Sequence, residues 1–299
     1  MCLFRYKNDI KLKTMKKILV FAVTVLASIA TMAQRPTATM EEVNDMLKNS
    51  TLYVVLYESP LTDYNSQIRR AVEKYWTATP FEFIYYNNIT DELNNPHNAF
   101  LAPVSVQFQE DDDSVMYTFM SLLIGGEYET INDLPEVCSF PLCYESYDDE
   151  AAYQFPAIVT FMNQHVQAVT EDPKLLRDKK FAVYTHQKRS IEGKTIYLLK
   201  EEQNEDFDEV AEIKAVCPIA NVEFTDQMTL EKIIRRNEAD ALFVHTVGPV
   251  EAEDVPGRAY VALMGADGTL YYFNHHKINA KNPKGMTIFD WKALATHKK

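Results

Sequence analysis

Apolar positions along this chain switch between a spacing of two and a spacing of three to four, and each switch marks a change of element. Thr51-Leu-Tyr-Val-Val-Leu56 is a β-branched and aromatic run of strand length. Over 64–76, Ile68, Ala71, Val72, Tyr75 and Trp76 recur at helical spacing, with Asp63 placed to cap the helix. Thr79-Pro80 ends it, and 81–86 reads as a second strand. A short helix over 89–93 follows the Asn87-Asn88 turn. Residues 99–109 and 115–124 then pair as a hairpin across Glu110-Asp-Asp-Asp-Ser114, closed by Gly125-Gly126.

The same order returns further on. A strand at 195–199, a helix at 207–216, a strand at 222–224 and a helix at 229–237 precede strands at 241–247, 259–264 and 270–274, with Asp267-Gly268 turning the last pair. First strand to second is about 30 residues in one half and about 27 in the other, and about 19 residues take the second strand to the third in both. The chain therefore reads as α/β (α+β), with two tandem, duplicated βαβαββ units of mixed sheet. A helix over 149–171, interrupted at Pro156, joins them and stops at Asp172-Pro173. Residues 181–186 have strand character, and 39–49 and 287–296 are amphipathic helices. The expected domains are 34–172 and 173–299.

At the front, Lys16-Lys17 precede the apolar core Ile18 to Ala30, and Thr31-Met-Ala33 leads into Gln34. This is the plan of a secretory signal peptide, with Met15 the expected start and cleavage expected after Ala33. A spanning helix takes about 20 apolar residues, so no transmembrane anchor is expected once the signal is removed. The whole chain has 30 basic and 43 acidic residues and a formal charge of −13, and loss of residues 1–33 makes it more acidic still. Such a field disfavours nucleic acid and anionic membrane surfaces as partners. Cationic proteins, divalent ions and neutral glycans stay open, and solubility alone also accounts for the charge.

Signatures of common active sites are missing: there is no Gly-x-Ser-x-Gly, no His-Glu-x-x-His, no Cys-x-x-Cys and no phosphate-cradling glycine loop. No cofactor is implied. His245, inside an apolar strand, is a candidate catalytic base if it opens into a cleft with Glu251, Glu253 and Asp254. His275 and His276 are candidate metal ligands, although neighbours in a strand point to opposite faces. Asp111 and Asp113 of the acidic run are candidate calcium ligands, with a solvated hairpin tip as the competing reading. Cys138 and Cys143 bracket Ser-Phe-Pro-Leu, a proline-containing turn able to bring them together as a local disulfide; burial as small apolar side chains is the other reading. Cys217 reads as core. Tyr144, Tyr147 and Tyr153 in the connecting segment are candidate exposed binding residues.

The Ala33-Gln34 junction, the helix end Ala71-Val-Glu-Lys-Tyr-Trp76 and the run Phe140-Pro-Leu-Cys-Tyr144 resemble exported proteins of the Bacteroidota that carry no assigned activity. The resemblance implies an exported chain, periplasmic or secreted, and nothing about chemistry. Asp113-Ser114-Val115 is similar to the short O-glycan acceptor sites of such proteins, which makes Ser114 a candidate modification site. The leading expectation is a non-enzymatic binding or scaffold module for a protein or envelope component, acting through the inter-domain surface and carrying an exposed apolar patch over 135–155. The alternative is a hydrolase of glycan or peptide, which requires a solvent-reachable His245 beside a carboxylate.

Overall fold

The computed structural model describes residues 35–108, 111, 115–145, 148–203, 205–249, 257–279 and 281–297. The signal segment with Met15 and Ala33, together with Asp113, Ser114, Tyr147, Glu251, Glu253 and Asp254, lies outside the described residues. Among the described residues no helix is long and apolar enough to cross a membrane.

Helix α1 (Met40–Asn49) starts at Thr39, whose hydroxyl accepts from Glu42 N while the Glu42 carboxylate accepts from Thr39 N, a reciprocal cap. The first sheet is built from β1 (Thr51–Leu56), β2 (Phe81–Tyr85), β3 (Asn98–Val106), β4 (Tyr117–Ile124) and β5 (Glu136–Tyr144). Helices α2 (Asp63–Tyr75) and α3 (Thr90–Leu93) make the crossovers. The second sheet is built from β6 (Thr195–Leu199), β7 (Asn221–Thr225), β8 (Ala241–Val247), β9 (Arg258–Gly265) and β10 (Leu270–Lys277), with α7 (Val210–Val216) and α8 (Gln227–Arg236) between its first three strands. Their orders are β2-β1-β3-β4-β5 and β10-β9-β8-β6-β7, which is one topology written from opposite ends. In each, the first three strands are parallel and the last two antiparallel. The α/β duplication read from spacing is present, with five strands per unit.

The registers align the repeats residue by residue. Thr51 pairs with Asn98 and Thr195 with Ala241; Leu52 pairs with Phe81 and Ile196 with Val222. On that alignment Thr51 and Thr195, Tyr53 and Tyr197, Glu82 and Glu223, and Phe83 and Phe224 occupy the same positions.

Two expectations are corrected. Residues 136–144 form β5 instead of a turn, because Pro141 sits opposite Phe119 where the register shifts and no ladder N–H is needed. Residues 181–186 are not a strand: Phe181 stands in the left-handed region at φ 49°, and α6 (Ala182–His186) follows it, with Val183 N donating to Asp178. The joining helix is interrupted, though ahead of Pro156 and not at it: α4 (Asp148–Ala151) passes through a 3-10 turn over Ala152–Gln154 into α5 (Phe155–Glu171), which carries the proline in its first turn, where no N–H is needed. Helix α9 (Ile288–Leu294) ends the fold.

Helix α5 is apolar on nearly all sides, burying Phe155, Ile158, Val159, Phe161, Met162, Val166 and Val169. A helix of that kind belongs inside, and α5 lies between the two sheets. One core joins Leu52, Val54 and Leu101 of the first sheet, Ile68 and Val72 of α2, Phe161 of α5, and Phe243, Ala262 and Phe273 of the second sheet. Phe140 and Phe273 rings are 6.1 Å apart, and Phe181 and Phe273 5.2 Å. The described residues from Pro36 onward thus pack as one compact unit. Three smaller cores lie outside this one. Val55, Phe100 and Leu123 pack with Leu93 of α3 and with Ile89 at its cap; Ile196, Leu198 and Val244 pack with Ile213 of α7 and Trp291 of α9; and Ile233, Ala241 and Ala266 form the third.

Candidate functional site

His245 is in the shared core, 2 % exposed. Its Nε2 is 2.8 Å from the Pro141 carbonyl, which only accepts, so the proton sits on Nε2. The ring stacks on Phe140 at 5.7 Å, and burial lowers its pKa to about 4. It is a sealed, neutral, structural histidine, which corrects its candidacy as an exposed base. His165 is similar: buried on α5, with Nδ1 2.7 Å from the Tyr184 hydroxyl and a pKa lowered by burial to about 4.

The other candidates scatter. Asp111 belongs to an ion pair that ties the first hairpin to β9: Arg258 Nε lies 3.2 Å from both carboxylate oxygens, and the Asp111 side chain is 2 % exposed. The Tyr117 hydroxyl accepts from Arg258 N at 2.6 Å beside it, and the Arg258 guanidinium covers Phe108 at 4.3 Å. Both carboxylate oxygens facing Arg258 makes Asp111 a seam residue and not a calcium ligand. His275 and His276 diverge, as strand neighbours must, and His276 Nε2 donates to Pro283 O at 2.9 Å. Among the described residues no group of three or more His, Cys, Asp or Glu is placed to hold a metal ion.

Cys138 and Cys143 are free, buried thiols five positions apart on β5. An extended strand separates them by roughly 16 Å, far beyond disulfide reach, so the local clip is corrected. Burial drives the Cys138 thiol up to about 12, which makes it inert. Cys217 is core, as read. Tyr153 is buried, its hydroxyl accepting from Gln154 Nε2 at 2.9 Å, and Tyr144 is half-buried against Tyr117. The described part of 135–155 supplies none of the exposed large apolar residues, which are Leu61, Tyr86, Met116, Met228, Ile288 and Phe289. Among the described residues of 135–155 the expected apolar patch is therefore not there.

The concavity that joins both repeats lies elsewhere, between α2, α5 and α8. It has a volume of about 260 Å³ and is lined by Gln67, Arg70, Lys74, Tyr75, Pro156 and Arg235, over Ala71. Helical spacing sets this up. Tyr64, Ile68, Ala71 and Val72 form the inward stripe of α2, which leaves Gln67, Arg70 and Lys74, at i, i+3 and i+7, as one stripe along its flank. Helix α8 buries Leu230, Ile233 and Ile234 and turns Glu231 and Arg235, one turn apart, toward α2. Gln67 Nε2 donates to Glu231 Oε1 at 3.2 Å across the seam, and the same oxygen pairs with Arg235. The α2 start is fixed by Thr62, which accepts from Asn65 N, and by Asp149 of α4, which accepts from Tyr64 N at 2.7 Å.

Glu231 offsets Arg235. Among the described residues neither Arg70 nor Lys74 has an ion-pair partner, and the Lys74 ammonium lies 4.8 Å from the Tyr75 ring centroid. A chain of formal charge −13 thus presents at its inter-repeat seam a groove walled by cations and floored by Ala71, Tyr75 and Pro156. Helical periodicity alone marks the Gln67-Arg70-Lys74 stripe in the sequence. Its pairing with Arg235 depends on the tertiary contact of α2 with α8.

Compared with known protein families, with characterised proteins and with solved structures, the chain gives no match.

Proposed function

We propose that this chain is an exported, non-enzymatic binding module of the cell envelope, and that it takes an acidic segment of a partner protein into the groove between α2, α5 and α8. The observation that carries the reading is the groove's charge: Arg70 and Lys74, without an ion-pair partner among the described residues, stand beside Arg235 in an otherwise acidic molecule. Opposite charge steers encounter and sets specificity more than it sets raw affinity. The floor of Tyr75, Pro156 and Ala71 gives an extended peptide apolar contact as well. Export rests on the basic start, apolar core and small-residue junction of residues 15–33. The hydrolase alternative loses its base, because His245 is enclosed by Phe140 and bonded to Pro141.

The test is a fluorescently labelled hexaglutamate peptide titrated against the purified mature chain at low salt and at ~0.5 M salt. Saturable binding, weakened ~10-fold or more in an Arg70→Glu, Lys74→Glu double variant that keeps the parent thermal midpoint, supports the reading. Equal binding by parent and double variant would place the acidic ligand elsewhere and end the proposal.

A further inference from the structure

A second concavity, of about 270 Å³, lies where α6 packs on β10, away from the groove between the repeats. Its walls are fixed. The Thr185 hydroxyl accepts from Phe273 N at 2.8 Å and lies 3.0 Å from Phe273 O, which clamps α6 to the strand. The floor is Phe273 and Ala182, and the rim carries Lys180, His186, Asn274 and His275. Among the described residues no carboxylate lines it. Two acids of the flanking segments are committed elsewhere: Asp178 accepts from Val183 N at 2.7 Å. Asp290 is fully buried and accepts from Asn274, Tyr272 and Thr287.

His275 is half-buried here, and the permanently charged side chains that act on it are cations. Lys180 faces it from the segment before α6 and Arg258 from β9, where Arg258 is itself paired with Asp111; His186 of α6 shares the rim, His276 follows on its own strand, and the Tyr260 ring lies 5.9 Å away. Burial first, and Lys180 next, hold its pKa below the usual imidazole value. Donors gathered from two elements without a counter-ion favour a bound anion, and the small volume limits it to a compact molecule.

We infer that the concavity between α6 and β10 is a binding site for a small phosphate-bearing anion, held by Lys180, His186 and His275 over the Phe273 floor. Donors from three side chains, set before α6, on α6 and on β10, suit a tetrahedral phosphate better than a planar carboxylate. The site binds the protonated imidazole, so affinity rises as pH falls, and bound phosphate draws the His275 pKa upward.

The experiment is a pH titration of the histidine ring resonances by NMR, with and without inorganic phosphate, and with acetate as a second probe. Expected are a saturable phosphate-dependent upward shift for His275, a weaker response to acetate, and at least a 5-fold loss of phosphate affinity in Lys180→Ala with its fold intact. His186→Gln is a second variant should Lys180→Ala fold poorly. Sedimentation with vesicles containing a quarter phosphatidylglycerol separates the sources: co-sedimentation lost in Lys180→Ala assigns the phosphate to a lipid headgroup, and its absence assigns it to a soluble ligand. An unchanged His275 titration in 20 mM phosphate, or equal shifts with acetate, overturns the inference. Neither outcome bears on hexaglutamate binding in the groove between α2 and α8, so the two readings stand or fall separately.

Discussion

The two repeats share strand order, register and four identical residues at matched positions, yet they use opposite faces to meet. Leu52 and Val54 of the first sheet point into the shared core, while their counterparts Ile196 and Leu198 point into the separate core under α7 and α9. Conversely, Phe243 faces the shared core and its counterpart Phe100 faces α3. Each unit is the same construction, with its first crossover helix on one face and its second on the other. The repeats are therefore stacked head to tail and not across a two-fold axis, the arrangement by which solenoid units add to one another. Duplicated sequence fixes the unit; the order of stacking decides which copy of each face is buried.

That asymmetry is open to test at its centre. Phe161 of α5 is 1 % exposed and touches Phe140 of the first sheet and Phe181, whose ring packs on Phe273 of the second, so it stands in the core that both repeats share. Phe161→Ala is expected to cost about 4 kcal/mol, and to do so for both sheets together in one chemical-denaturation transition. Two separated transitions would mean that the sheets are independent and the shared core is nominal.

A smaller effect separates the repeats by titration. His245 on β8 matches Ala102 on β3, so at this matched position the second repeat carries an imidazole where the first carries a methyl group, and α5 adds His165. Both fold with pKa values near 4 against 6.5 in model peptides. With the folded value depressed, their stabilisation is complete above pH 6.5 and is lost as the unfolded chain takes up protons, on down to about pH 4. Stability should fall by about 2.5 kcal/mol between pH 7 and 5.5 from the two rings together. Urea midpoints that stay level over that interval would show the rings to be hydrated in the native protein.

The smallest change is confined to the second repeat. Asp290 Oδ2 accepts from Thr287 N at 2.7 Å and from its hydroxyl at 2.6 Å, and Oδ1 accepts from Tyr272 and Asn274. Asp290→Ala removes the α9 cap and strands the Tyr272 hydroxyl, at a cost of about 2 kcal/mol. Amide exchange should quicken in β9, β10 and α9 and stay unchanged in β4 and β5. Equal quickening in both sheets would contradict the separateness of the outer core.

Most elements were legible because local patterns decide them. The Ile68-Ala71-Val72 stripe, the Asp267-Gly268 turn and the matched spacings each need only neighbouring residues. Gly268 shows how far that reaches: at φ +79° it makes the turn, but a Cβ there would stand 2.6 Å from Thr160, a contact no local pattern announces. Strand β5 was hidden by Pro141, which reads as a turn unless the shifted register at Phe119 is known. The functional candidates fared worse for one reason. Whether His245 is sealed, whether Asp111 meets Arg258, and whether Arg70 and Lys74 share a groove with Arg235 are all settled by contacts between distant segments.

The seam between the repeats also sets an order of events. Its polar ties span 104 residues from Pro141 to His245 and 147 from Asp111 to Arg258, so closing them requires the ends of very long loops to meet. The first sheet, with α2 and α5 laid on it, is complete in sequence long before Phe243 and Phe273 are available to cover the rings of Phe140, Phe161 and Phe181. Until the second sheet arrives, that aromatic surface is the stickiest part of the chain. The half-folded protein is therefore more exposed to aggregation at this one face than anywhere on its finished exterior.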